Sequence, residues 1–278
     1  VLCNFSHGLV ERADEDNAWV CVLAKSYEMI DDSTWEFKLR DDVTWHNGDP
    51  FTAADVKYTY ERAATDESLA ENHIFKVIKE VQIIDDYTVR FVTDGPYPTM
   101  LSLLSKNGSQ VMPSKYIEEN GMDYYLEHPI GCGPYQFKEW VKDNVVVLER
   151  YDDYFGGTPY WDEVRFRAIP EASTRVAELL TGNVDIIVNV PTNEWDRIDA
   201  DENTEMVLGN GTRIYNVIMK WNTSPTQNKQ LREAVAYAID AQTIIDTVLK
   251  GAGTPCYTRI APGVFGQDES LYNINKYD

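Results

Sequence analysis

The chain has 278 residues, 43% of them hydrophobic, and its 46 acidic and 25 basic residues give a formal net charge of −21. The apolar content excludes a disordered chain, and the negative charge excludes nucleic acid and anionic lipid as partners, because phosphate contacts need clustered lysines and arginines. No apolar run approaches the ~18–20 residues of a membrane span. The first residues also lack a signal peptide, so we expect any leader or lipid anchor to be absent from this chain.

The first half of the chain alternates between strand and helix patterns. Trp35, Phe37 and Leu39 alternate with polar residues, which predicts a strand with one buried face. The sequence TAAD at 52–55 predicts a capping box at the start of a helix, in which the threonine oxygen and the aspartate carboxylate accept from backbone amides. A hairpin is predicted over 81–91.

The second half contains further strands and helices. In chain order, the patterns predict a half-buried strand at 135–137, a buried strand at 145–148, a strand at 164–168, a helix at 172–181 closed by Gly182, a buried strand at 184–188, a strand at 213–220, a helix with a buried face at 231–238 and a second helix at 244–249 ended by Gly251. Because several strands come as hairpins while others alternate with helices, the predicted fold class is α/β with mixed sheets.

Four ordered blocks of sequence carry a resemblance to a known family. They are LAKSY and WEFKLRDDVTWHNGDPFTAADV at 23–27 and 35–56, IGCGPYQF and VVVLERYDDYFGG at 130–137 and 145–157, ELLTGNVDII at 178–187, and the stretch 222–253, which includes REAVAYAID. These blocks resemble the extracellular solute-binding proteins of family 5, which feed peptide and nickel ABC importers. The resemblance runs from about residue 5 to the end of the chain.

The resemblance implies a fold of the periplasmic-binding-protein type II kind, in which two lobes are joined by a hinge and an extra domain is inserted in the first lobe. Carried onto this chain, residues 1–26 and 131–225 form the first lobe, 27–130 the inserted domain and 226–278 the start of the second lobe. We expect the second lobe to be truncated. A chain with half a cleft should fold but bind ligand poorly.

The resemblance also implies a function. It identifies the chain as the substrate-binding component of an ABC importer that captures peptides or peptide-like solutes and delivers them to permease subunits. The protein is then a monomer without cofactor, located in the periplasm or on the cell surface as a lipoprotein. The residues that usually fix the two charged ends of a peptide in this family are expected beyond Asp278.

Other functions stay open at this point. A nickel-chelate receptor is one alternative, although nickel receptors of the family carry arginines in the region matching Asn107, where this chain reads KNGS over 106–109. A ligand sensor that does not transport is a second, because fold does not fix function. A secreted hydrolase is a third, and it would need a nucleophile beside a base.

No sequence motif supports catalysis or metal binding. The chain has no GxSxG, HExxH or phosphate-binding glycine loop, so we predict that it is not an enzyme. Its four histidines are interpreted as surface or capping residues. The cysteines at 3, 21, 132 and 256 form no CxxC pair and have no histidine at zinc spacing, so we expect no metal site and unpaired thiols, with a Cys3–Cys21 bond as the alternative. Cys132 is expected to be a small buried side chain.

Recognition residues are expected near the cleft between the lobes. A receptor for many peptides should rely on backbone hydrogen bonds to an extended ligand. Aromatic rings supply contact area and an asparagine supplies both donor and acceptor, so the candidate ligand-binding residues are Tyr215, Trp221, Asn222 and Tyr257, with core packing as the alternative role.

The glycine-rich segment of the second block is the candidate hinge. Gly131 and Gly133 flank Cys132 and precede a proline, a composition that allows a sharp turn or the close approach of another chain segment. Because lobe closure is a hinge motion, we assign the hinge to these two glycines.

Overall fold

The computed structural model describes residues 1–13, 18–209, 211–264, 266–268, 270–271 and 277. It divides into two compact units, Val1–Ala168 and Ile169–Asp278, which are described separately. The division into two lobes and an inserted domain, expected from the resemblance, stays a prediction.

The first unit contains most of the regular structure. Its elements, in chain order, are α1 (Leu2–Phe5), β1 (Val10–Arg12), β2 (Trp19–Cys21), β3 (Ala24–Asp31), β4 (Thr34–Leu39), α2 (Ala53–Thr65), α3 (Asn72–Phe75), β5 (Ile78–Asp85), β6 (Thr88–Thr93), α4 (Met100–Leu104), α5 (Ser114–Asn120), α6 (Met122–Glu127), β7 (Tyr135–Val141), β8 (Val145–Arg150) and β9 (Glu163–Arg167). The strands form three sheets with the orders β1-β2, β3-β4-β6-β5 and β7-β8-β9.

The described strand pairs are all antiparallel. The predicted combination of helices and sheets is confirmed. The parallel strand pairs that mixed sheets would require are not seen in the described residues. The predicted hairpin at 81–91 is present as β5 and β6, with Val81 opposite Phe91.

An aromatic core joins the four-stranded sheet to α2. Phe37 of β4 and Phe91 of β6 meet edge to face with ring centroids 5.4 Å apart, and Tyr60 of α2 meets Phe91 in the same way at 5.1 Å. The Tyr60 hydroxyl donates a hydrogen bond to the carbonyl of Ser109 at 2.7 Å, and burial raises the pKa of Tyr60. Buried aromatic pairs each add about 0.5–1.5 kcal/mol beyond the area they bury. The predicted one-sided strand is confirmed, since Trp35, Phe37 and Leu39 are buried.

The predicted capping box at the start of α2 is confirmed, and it is part of a larger network. The buried Asp55 carboxylate accepts from the Thr52 amide at 2.9 Å, the Trp45 indole N–H at 3.2 Å, and the amide and hydroxyl of Ser114 at 2.8 and 2.6 Å. These four donors match the four lone-pair directions of a carboxylate, so Asp55 is satisfied without a cation. The residue thereby ties α2 to α5 and to the turn before α2.

The second unit is built from helices and irregular segments. Its elements are α7 (Ala172–Leu180), a short 3₁₀ turn (Thr192–Glu194), α8 (Trp195–Asp199), α9 (Lys229–Tyr237) and α10 (Ala241–Val248). The predicted helix closed by glycine is confirmed, because α7 ends just before Gly182, which has a φ of +72°. The left-handed region is the usual conformation after a helix end.

Three predictions for the second unit are not met in the described structure. No strand is assigned at 184–188 or 213–220, and Ile186 is 83% exposed. The predicted buried face of α9 is also wrong, since no residue of that helix is buried and Leu231 is 37% exposed. The physical reason is the same in each case: an apolar strand or helix stripe is buried only when another element covers it.

Candidate functional site

The glycine-rich segment of the first unit lies against the backbone of α1. A β-carbon on Gly131 would stand 2.0 Å from the carbonyl oxygen of Phe5, and one on Gly133 would stand 2.5 Å from the carbonyl carbon of Phe5. The amide of Gly133 donates to that same carbonyl at 2.9 Å. The glycines are therefore needed because the two backbones approach closely, which is one of the two reasons expected from the sequence.

His46 holds the other side of this segment. Its backbone amide donates to the carbonyl of Gly131 at 2.9 Å, and its ring Nδ1 accepts from the amide of Gly131 at 3.1 Å. Nδ1 must then be unprotonated, so the proton sits on Nε2, which donates to the carbonyl of Gly133 at 3.0 Å. Burial disfavours the imidazolium form and lowers the pKa of His46 to about 4.

The prediction that His46 is a surface or capping residue is wrong. Beyond its three hydrogen bonds, its ring contacts Tyr151 edge to face at a centroid distance of 4.8 Å and Phe5 at 5.4 Å. The sequence around it, HNGD, has the polar composition of an exposed turn. Nothing in that local sequence indicates that residues 131–133 pass over the imidazole.

His7 is likewise buried, contrary to its interpretation as a surface or capping residue. Its Nδ1 lies 2.9 Å from Glu11 Oε1 and its Nε2 lies 2.9 Å from the Tyr154 hydroxyl. Burial is the main cause that raises the pKa of Tyr154, so the phenol stays protonated. The imidazole thereby links Glu11 of β1 to Tyr154, which lies 147 positions after His7 in the chain.

Cys132 lies between the two glycines, and its predicted burial is confirmed. Burial raises the pKa of its thiol to about 11. Since the thiolate is the reactive form of cysteine, this side chain is chemically inert at neutral pH. All four cysteines are free.

The four predicted ligand-binding residues all lie in the second unit. Tyr215 is 87% exposed and Trp221 is 74% exposed, while Asn222 is exposed and Tyr257 is half-buried. The described structure gives no contact that joins the four residues in one site. The rings of Tyr215 and Trp221 are largely exposed, and the role of all four residues in binding stays a prediction.

A cavity of about 490 Å³ is lined in part by residues that adjoin Tyr215 and Trp221 in the sequence. One wall is the segment 216–219, which lies between Tyr215 and Trp221 in the sequence, and the rest is formed by Lys229, Arg232, Glu233, Ala236 and Arg259. The sequence reasoning missed the basic residues of this cavity. The signal that could have found them is the spacing of Lys229 and Arg232, which places two cations on one face of a helix in an otherwise acidic chain.

Two further observations concern metal binding and membrane insertion. In the part of the chain that the structure describes, no three histidine, cysteine or acidic side chains are grouped so that they could hold a metal ion. None of the described helices has the length and apolar character to cross a membrane.

Comparison with solved structures defines the class of protein. HbpA2 from Haemophilus parasuis superposes with a TM-score of 0.84 and 23% identity, over 96% of this chain and 57% of that one. The oligopeptide-binding protein AppA from Bacillus subtilis, in complex with a nonapeptide, superposes with a TM-score of 0.78 and 26% identity, over 96% of this chain and 54% of AppA. The fold is that of the periplasmic binding proteins of type II, as expected from the sequence blocks.

The family follows from the sequence. The model of the bacterial extracellular solute-binding proteins, family 5 middle region, matches residues 18–278, so the chain belongs to this family. It is 28% identical to the glutathione-binding protein GsiB of Salmonella paratyphi A over 90% of this chain, and 29% identical to AppA of Bacillus subtilis over 93%. The chain spans about half the length of these curated relatives, 49% in both cases. The resemblance seen in the four sequence blocks is thus confirmed.

Proposed function

We propose that this chain belongs to the substrate-binding component of an ABC importer and captures peptides or peptide-like solutes outside the cytoplasmic membrane for delivery to a permease. The observation that carries the proposal is that both the sequence and the fold match AppA. AppA is an oligopeptide-binding protein that is 29% identical to this chain, and its structure has the same fold with a nonapeptide bound. The name of a second relative, a glutathione-binding protein, also points to a peptide-like solute.

The backbone of the second unit suits a ligand of this kind. Residues 213–219 belong to no helix or strand, and their backbone groups make no hydrogen bond with any described residue. Free amide and carbonyl groups along such a segment can pair with the backbone of an extended peptide, and this pairing does not depend on the peptide sequence. The exposed rings of Tyr215 and Trp221 at either end of the segment would add apolar contact.

The proposal also gives a role to Gly131 and Gly133 of the first unit. We assign Gly131 and Gly133 to the hinge region. Their hydrogen bonds with Phe5 and His46 hold the backbone of residues 131–133 in one position. The same proposal includes the absence of catalysis. It is supported by the inert thiol of Cys132 and by the un-ionised phenol beside His7.

The test is ligand identification followed by calorimetry. The protein is purified as its source cells produce it, and the molecules it carries are released and analysed by mass spectrometry. Titration with a pool of short peptides should give micromolar or tighter binding, about −8 kcal/mol. Trp221→Ala and Tyr215→Ala should each weaken binding by about tenfold, the equivalent of ~1.4 kcal/mol.

Trp140 provides the matched control, because it is an exposed tryptophan of the first unit, on β7. Trp140→Ala should bind peptides as the wild type does. Binding of a nickel–histidine complex without any peptide binding would contradict the proposal and favour the nickel-chelate alternative. Peptide affinity that is unchanged in both second-unit variants would contradict the assignment of the site.

A further inference from the structure

We infer that the cavity of the second unit is an anion site that takes carboxylate groups, and that the preferred solute is therefore an acidic peptide or peptide-like molecule. This inference rests on the proposed function and specifies its substrate class. The cavity volume of about 490 Å³ falls in the range of ~300–1,000 Å³ that is usual for small-molecule sites.

The first observation is the charge of the cavity walls. Lys229, Arg232 and Arg259 contribute three cations and Glu233 one carboxylate, a local surplus of two positive charges. The whole chain has a formal net charge of −21. A concentration of cations in a concave wall creates a positive potential that the rest of the protein does not share.

The second observation is that these cations retain unused donors. Lys229 pairs with Glu233 at 3.3 Å, and Arg232 donates through Nη1 to the carbonyls of Thr226 and Gln227 at 2.9 and 3.1 Å. Arg259 makes no hydrogen bond or ion pair with any residue that the structure describes. A guanidinium has five N–H donors in a planar fork, so Arg259 and the remaining donors of Arg232 can each hold a carboxylate through paired hydrogen bonds.

The third observation concerns the apolar residues of the cavity wall. Val217, Ile218 and Met219 face the cavity, and Val217 and Ile218 are largely exposed. Apolar side chains next to arginines exclude water from one side of an ion pair, which strengthens it. The combination suits an organic carboxylate with an apolar part better than a small inorganic anion, which would leave the apolar wall uncovered.

The direct test uses a small probe and does not require peptide binding. The ¹⁵N-labelled 278-residue chain is titrated with glutarate, with glutaramide and with inorganic phosphate, and NMR spectra follow the Arg232 and Arg259 Nε–H signals and the amides of 217–219. Glutarate should shift these signals in a saturable way and glutaramide should not. Phosphate shifting them as strongly as glutarate would overturn the preference for carboxylates, and unchanged signals with glutarate would overturn the site itself.

Variants separate the role of Arg259 from general charge. Arg259→Gln should weaken glutarate binding by about tenfold or more, and Arg259→Lys should restore part of it, because a lysine keeps the charge but not the fork. Arg197→Gln is the control, since Arg197 is an exposed arginine of the same unit that does not line the cavity. An equal loss in Arg197→Gln would show that only overall charge matters and would overturn the assignment.

The peptide arm links the site to the proposed function. Calorimetry on the protein as its source cells produce it compares an acidic tripeptide with the same tripeptide in which the side-chain carboxylates are amides. The wild type should bind the acidic form at least tenfold more tightly. Arg259→Gln should abolish this preference. Glutarate binding at Arg259 without binding of any peptide would refute the proposed function and keep the anion site. Peptide binding without preference for the acidic form would refute the inference and keep the proposed function.

Discussion

The environment of His46 predicts a specific loss of stability in acid. An unfolded histidine has a pKa near ~6.5, whereas burial lowers the pKa of His46 to about 4 in the folded chain. Between these two values the unfolded chain binds a proton that the folded chain does not. The contribution of His46 to the free energy of unfolding therefore has its full value above about pH 6.5, and it decreases as the pH falls toward 4. With ~1.36 kcal/mol for each pKa unit, the loss is about 3 kcal/mol.

The perturbation that isolates this effect is His46→Asn. The asparagine side chain can still accept from the Gly131 amide, but it does not titrate and it cannot reach the carbonyl of Gly133 as Nε2 does. We expect the variant to be less stable than the wild type at pH 7.5, by about 1–3 kcal/mol for the lost hydrogen bond. As the pH is lowered to 4, the difference should change by roughly 3 kcal/mol in favour of the variant, so that the variant becomes at least as stable as the wild type.

The assay is urea unfolding followed by tryptophan fluorescence at several pH values between 7.5 and 4. Titration of the carboxylates also lowers stability in acid, but this contribution is common to both chains and cancels in the difference. His73→Asn is the control, because His73 is exposed and its ring Nδ1 lies 2.9 Å from the carbonyl oxygen of Ala70. A gap between wild type and His46→Asn that does not change with pH would refute the reasoning.

Three further outcomes are expected for variants and labelling of the first unit. Gly131→Ala should lower the free energy of unfolding by more than about 4 kcal/mol in the same urea assay. Gly211→Ala of the second unit is its control and should change this free energy by less than about 0.5 kcal/mol, because the added β-carbon meets nothing closer than 3.9 Å. Similar values for the two variants would contradict the close approach of the backbones at Gly131. Asp55→Ala should cost about 3–5 kcal/mol, because it leaves several buried donors unpaired, and a loss below 1 kcal/mol by thermal unfolding would refute this. Iodoacetamide at neutral pH should label the exposed Cys3 and leave Cys132 unmodified until the chain unfolds, and mass spectrometry showing equal labelling would refute the buried, protonated thiol.

Features that depend on neighbouring residues could be predicted from the sequence. The alternation of Trp35, Phe37 and Leu39 places them on one face of any strand they form, and that face is buried as expected. The TAAD sequence at 52–55 begins α2 because the threonine and aspartate reach amides within one helical turn. Helix α7 and its closing glycine follow from the same local physics. The ordered sequence blocks, in turn, indicated the family before any contact was known.

The predictions failed where the outcome depends on a partner that is distant in the sequence. The apolar segment 184–188 has the composition of a buried strand, but strand structure requires a neighbouring edge, and the described residues place none beside it. The same holds for the apolar stripe of α9. Periodicity shows which side chains share a face, and only the tertiary structure shows whether that face is covered.

The sequence by itself determined the family, the α/β class, the helix caps and the presence of the glycine-rich segment at 131–133. The tertiary structure decided what those residues do. His46 lies 85 positions before Gly131, yet the backbone groups of residues 131 and 133 determine its tautomer, and burial lowers its pKa. Arg259 completes a cavity whose other walls lie tens of residues earlier in the chain. The physical reason is that hydrogen bonding, desolvation and local charge depend on distances in space, and a sequence specifies those distances only through the fold.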